Sequence, residues 1–175
     1  MNGCKMIRVL LAALVAVAVQ GAPILAASPG RGPVTDLPLP RYVSLKSSEG
    51  NARRGPGTSH RVDWVYRLRD MPLRVTAEFE HWRRVEDADG KGGWMHYALL
   101  SGVRTALVID QGTAEHVSMH TRPDPSAPVA AFLEPGVVAR LVECNPEWCL
   151  LRTGRIRGWV ARDFIWGVDP DETLD

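Results

Sequence analysis

Little in this sequence supports catalysis. No Gly-x-Ser-x-Gly elbow, His-Glu-x-x-His helix or Gly-Lys-Ser/Thr loop is present, so the common nucleophilic, zinc and phosphate-cradling machineries have no motif to rest on. Net charge is nearly absent at +1, which removes the electrostatic footprint of a nucleic-acid or anionic-membrane binder. Cysteine is scarce, with Cys4, Cys144 and Cys149 only. Phenylalanine and tyrosine number three each, so the aromatic content rests on six tryptophans. Beyond residue 19 no apolar run approaches the length needed to cross a bilayer.

The first residues stand apart from the rest. Lys5 and Arg8 precede the uninterrupted apolar run Val9 to Val19, and small residues follow at Ala22, Ala26 and Ala27. This is the three-part build of a secretory signal peptide, assigned to residues 1–27. Its removal takes away two cations and no acid, so the net charge passes from +1 to −1. Cys4 leaves with it, and Cys144 and Cys149 remain as an even pair in an oxidising compartment. Residues 28–40, ending in Leu37-Pro38-Leu39-Pro40, read as a stiff, extended, proline-rich spacer. Residues 169–175 form an acidic tail.

The rest contains a repeat. His81-Trp82-Arg83-Arg84-Val85 matches Glu147-Trp148-Cys149-Leu150-Leu151 at an offset of 66, and Gly93-Trp94-Met95 matches Gly158-Trp159-Val160 at 65. Pro56-Gly57-Thr58-Ser59 matches Pro123-Asp124-Pro125-Ser126 at 67, and Asp70 to Val75 matches Gly136 to Leu141 at 66. Small loop insertions between fixed strands produce such a drift. Leu73, Val75 and Ala77 share a parity, which is a strand signal. Val137, Ala139 and Leu141 oppose Val138, Arg140 and Val142, so that strand is expected to be buried on both faces. Asp89-Gly90-Lys91-Gly92-Gly93 and Thr153-Gly154-Arg155 are turn signals. Short strands punctuated by glycine and proline predict two small closed β-barrels, residues 41–109 and 113–168. Helix is expected after residue 27 only as a single turn at Arg162-Asp163-Phe164-Ile165. Thr105 to Ile109 reads as a strand, so the modules are expected to pack together.

Each unit resembles the bacterial SH3-like (SH3b) domain. That family opens on Asn-Val-Arg-x-Gly-Pro, carries a Trp-x-x-Val strand mid-module and closes on Gly-Trp-Val. The first unit has Asn51-Ala52-Arg53-Arg54-Gly55-Pro56, Trp82 and Gly93-Trp94; the second has Pro123, Gly136, Trp148 and Gly158-Trp159-Val160. The second departs at its opening, where Ser118-Met119-His120-Thr121 stands instead. The Ala-Leu-Tyr-Asp-Tyr run of eukaryotic peptide grooves is missing from both. The resemblance implies an all-β fold of two tandem modules and a ligand in the cell envelope, with peptidoglycan foremost.

Candidate binding residues follow from residue type. Arg53, Arg54 and Arg61, near the Gly-Pro-Gly turn, suit carboxylates or phosphates. Trp64, Tyr66, Trp82 and Trp148 suit stacking against a sugar or an extended peptide. Trp94 and Trp159 are assigned to the two barrel interiors. Cys144 and Cys149 are expected to form a disulfide stapling a hairpin; a metal pair with His116 and His120 is the weaker alternative, because Cys-x4-Cys is loose for zinc. Glu78, Glu80, Glu86, Asp87 and Asp89 read as the acidic surface of a hairpin. The expectation is an exported, periplasmic or extracellular, non-catalytic binding protein. It has no metal or other cofactor and no integral membrane segment in the mature chain. Its partner is peptidoglycan or, as the alternative, an envelope protein in an assembly role.

Overall fold

A computed structural model describes residues 30–109, 112 and 115–175. The signal-peptide assignment, residues 1–27, lies outside them. The chain forms two seven-stranded antiparallel sheets. The first comprises β1 (Arg41–Leu45), β2 (Gly50–Arg53), β3 (Val62–Tyr66), β4 (Pro72–Phe79), β5 (Trp82–Glu86), β6 (Gly92–His96) and β7 (Leu100–Ser101). The second comprises β8 (Thr105–Val108), β9 (Val117–His120), β10 (Val129–Leu133), β11 (Val138–Cys144), β12 (Trp148–Thr153), β13 (Ile156–Ala161) and β14 (Ile165–Trp166). Their strand orders are β3-β2-β6-β5-β4-β1-β7 and β10-β9-β13-β12-β11-β8-β14, which is one topology written twice. A 3-10 turn precedes the last strand of each, at Tyr97–Leu99 and at Arg162–Phe164. Only the second turn was expected.

Equivalent positions carry the two cores. Leu45, Ala52, Leu73, Val75, Val85 and Met95 fill the first, with Tyr66 at its margin. Val108, Met119, Ala139, Leu141, Leu151 and Val160 hold the matching places in the second. Volume is exchanged between neighbours: the Ala52 and Met95 pair becomes Met119 and Val160, large for small across β2–β6 and β9–β13.

Several expectations need correction. Trp94 and Trp159 do not plug the interiors; both are half-buried, and their neighbours Met95 and Val160, fully buried, point inward instead. Side chains alternate along a strand, so one residue of each pair must face outward. The tryptophans still occupy equivalent sites, Trp94 opposite Arg53 and Trp159 opposite His120. Strand β11 is not buried on both faces: Ala139 and Leu141 are buried, whereas Arg140 is exposed. Residues 105–109, assigned to the first module, supply β8, which pairs with β11 and β14 of the second sheet. Ala106 and Val108 face the second core, so the modules divide near 102–104. The modules pack together, with Tyr42 edge-on to Trp166 at 5.2 Å and Thr105 Oγ1 donating to Asp70 O at 2.7 Å.

Residues 30–40 are not an extended spacer. Arg31 bridges Pro38, and the folded-back segment sits over the end of the β4–β5 hairpin. Its anchor is Glu78, expected on the surface and in fact buried. The Glu78 carboxylate accepts from Val34 N (3.1 Å), Thr35 N (3.0 Å), Thr35 Oγ1 (2.6 Å) and Arg41 Nη2 (2.7 Å), and lies 3.4 Å from Arg83 Nε. Burial alone would raise its pKa; the Thr35 and Arg41 hydrogen bonds outweigh this and lower it to about 2. The equivalent pair in the second module is Cys144–Cys149, joined as a disulfide across β11 and β12. There the C-terminal segment arrives in place of the N-terminal one, with Leu174 bridging Cys144. Each hairpin end is therefore cross-linked and covered by a segment that flanks the two barrels.

Candidate binding site

The loop between β2 and β3 is built around arginine. Arg53, closing β2, donates through Nη1 to Thr58 O (3.0 Å) and His60 O (2.7 Å), so it ties the loop down. Arg54 and Arg61 meet at the loop stem, where Arg54 N donates to Arg61 O at 3.0 Å. Both grip Asp63, Arg54 through Nε at 3.1 Å and Arg61 through Nη2 at 2.7 Å. These hydrogen bonds, Arg54's first, hold the Asp63 carboxyl below its usual range. One carboxylate thus serves two guanidinium groups and leaves excess positive charge.

Arg53, Arg54 and Asp63 form one wall of a cleft of about 330 Å³; Arg84, Glu86 and the Gly90–Trp94 turn form the other. The cleft exists because three strands approach closely. A Cβ on Gly92 would stand 2.0 Å from Val85 O. One on Gly93, at φ +152, would stand 2.5 Å from Arg53 O, and that φ itself disfavours a side chain. The turn before them is held by Asp87, whose Oδ1 accepts from Asp89 N (3.0 Å) and Lys91 N (2.9 Å). Across the strands, Trp94 lies between Arg53 on β2 and Arg84 on β5. An indole with an arginine in register on either side can stack on a flat or sugar-like face while those residues take a neighbouring anion.

The candidates named from residue type do not all converge. Arg53 and Arg54 line the cleft, with Arg61 beside Asp63. Trp64 is partly exposed, edge-on to Tyr66 at 6.5 Å, with Lys91 Nζ 4.9 Å from its ring centre. Tyr66 is buried and donates its hydroxyl to Lys91 O at 2.8 Å, which makes it a core residue. Burial, first of the causes, raises its pKa. Trp82 lies among other rings, edge-on to His96 at 5.6 Å, with Tyr97 4.9 Å from His96. Trp148 meets His120 edge-on at 5.6 Å in the second module. His120 Nδ1 lies 2.9 Å from Ala127 O. His116 lies against Phe132 and the cysteines are bonded to each other, so the metal alternative has no donor set there. Among the described residues no group of three or more His, Cys, Asp or Glu could hold a metal.

Sequence reasoning missed Arg84 and misplaced Trp94. The parity of Gly93-Trp94-Met95 could have placed the indole outside once Met95 was taken as core. The second module lacks this cleft chemistry: His120, Thr121 and Leu150 stand where the first has Arg53, Arg54 and Arg84.

A family model described as bacterial SH3 domain matches the chain twice, over residues 46–102 and 113–167. No curated protein sequence matches it. Two solved structures from Trichomonas vaginalis are similar in part. NlpC2 is 9% identical, with a TM-score of 0.33, over 73% of this chain and 48% of that one. NlpC1 is 9% identical, with a TM-score of 0.33, over 72% of this chain and 45% of that one. The chain thus spans less than half of either, and likeness at this level has no bearing on activity.

Proposed function

The chain belongs to the bacterial SH3 domain family, and from that premise we propose that it is an exported, non-catalytic binding protein that recognises peptidoglycan. The observation that carries this reading is the Arg53–Trp94–Arg84 row beside a cleft of about 330 Å³. Trp94 offers a stacking face to a sugar or a peptide plane, and the arginines offer forked donors to a stem-peptide carboxylate. The Cys144–Cys149 disulfide supports an oxidising compartment and hence export. Among the described residues no helix is long and apolar enough to cross a membrane.

The test is sedimentation of the mature protein with purified sacculi at moderate salt. Enrichment in the pellet, reduced by Arg84→Glu and by Trp94→Ala, is expected; a protein that stays in the supernatant refutes the reading. A second reading, an envelope protein partner, is favoured by strand β10, the sheet edge that exposes Val129 (43%) and Phe132 (64%). Such an edge can accept a strand from another chain. A defined partner captured from envelope extract, lost on Phe132→Ser and accompanied by indifference to sacculi, would favour it.

A further inference from the structure

The outer face of the second sheet carries three arginines side by side. Arg140 on β11 pairs in register with Arg152 on β12, and Arg152 pairs with Arg157 on β13. Directly paired residues project from the same face about 5 Å apart, and like charges so placed repel. All three are exposed, and among the described residues none of them forms an ion pair or a side-chain hydrogen bond. Relief was available in the same topology. The equivalent row in the first module is Arg74, Glu86 and Gly92, where Arg74 Nη1 lies 3.5 Å from Glu86 Oε1. The second module has arginine where the first has that glutamate.

The row borders a groove of about 620 Å³, whose apolar lining includes Val103, Val142 and Leu174. Arg104, at its margin, is already held by Glu172. The three guanidinium groups thus bring three positive charges to one wall, with no carboxylate among the described residues in an ion pair with any of them. A single carboxylate would neutralise one of them, whereas a diphosphate carries charge nearer to all three and accepts forked hydrogen bonds from several arginines at once. The geometry points to a binding site on the second module for a diphosphate ester, the phosphoryl groups on Arg140, Arg152 and Arg157 and the organic portion along Val142 and Leu174. This site is separate from the cleft of the first module and does not depend on what that cleft binds.

Calorimetric titration of the whole mature protein with inorganic diphosphate at low salt tests it, with acetate and phosphatidylglycerol vesicles as comparison arms. Diphosphate is expected to bind at least tenfold tighter than acetate. Arg152→Glu recreates the cross-strand ion pair of the first module, so it should fold at least as stably while losing tenfold or more in diphosphate affinity. Arg67→Glu changes net charge equally on an exposed arginine of the first module outside the groove's lining and should leave that affinity unaltered. Should Arg152→Glu not fold, Arg152→Gln serves, with the same loss expected. Equal affinity in a folded Arg152 variant, equal loss in Arg67→Glu, parity of acetate with diphosphate, or vesicle binding without diphosphate binding would each overturn the assignment.

Discussion

Glu78→Gln is the substitution whose cost the structure defines most closely. The carboxylate is fully buried and receives donors from Val34, Thr35 and Arg41, with Arg83 beside it. The amide keeps the shape and surrenders the charge, leaving Arg83 (8% exposed side chain) and Arg41 (17%) facing a neutral group. Breaking a buried pair from one side costs about 3–5 kcal/mol. The pKa gives an independent figure: lowering from 4.5 to about 2 corresponds to about 3 kcal/mol as an upper value. An expected loss of about 2–3 kcal/mol at pH 7 follows, read from urea midpoints. The sign with pH is fixed. The folded pKa lies below the unfolded one, so the stabilisation is fully present above pH 4.5 and is lost as pH falls through about 2. The gap between wild type and Glu78→Gln should therefore narrow across that window. Limited proteolysis should also find residues 30–40 more readily in the variant. A midpoint unchanged at pH 7, or a gap that stays constant down to pH 2.5, would refute the reasoning.

Other outcomes are equally specific. Reducing the Cys144–Cys149 disulfide should lower stability by about 2 kcal/mol in the chain-entropy model for so short a loop, read from denaturation with and without dithiothreitol; no change would remove its structural role. Met95→Ala should cost about 2–5 kcal/mol as a core truncation, whereas half-buried Trp94→Ala should cost clearly less and act on sacculus binding; equal stability losses would place the indole in the core. Gly93→Ala should destabilise by about 1–3 kcal/mol, because the new Cβ meets Arg53 O at a φ disfavoured for side chains; a thermal midpoint matching wild type would contradict the close approach.

The duplication was legible in the sequence because glycines and tryptophans sit at strand ends and crossings, where their spacing is fixed by geometry. The disulfide was legible because four residues, one of them a proline, between two cysteines leave room for little except a hairpin. What escaped detection depends on partners distant in the chain. Strand β8 looked like a closing strand of the first barrel, and only its pairing with β11 and β14 shows that it opens the second. Glu78 looked like surface acid because Val34 and Thr35, its donors, lie 44 and 43 residues away. Trp94 was drawn inward by its size, although Met95 and Val160 own the inward parity. The row of Arg140, Arg152 and Arg157 exists only in register, and nothing in local spacing announces it.

The two copies close the same hairpin end by different chemistry, and their weaknesses differ accordingly. Strong acid undoes the first clasp, since it removes a proton acceptor, and leaves the second intact; a reductant does the reverse. A chain built this way keeps one sound barrel under either insult, so tryptophan-detected melting should split into two stages in reductant at neutral pH, with the second copy going first.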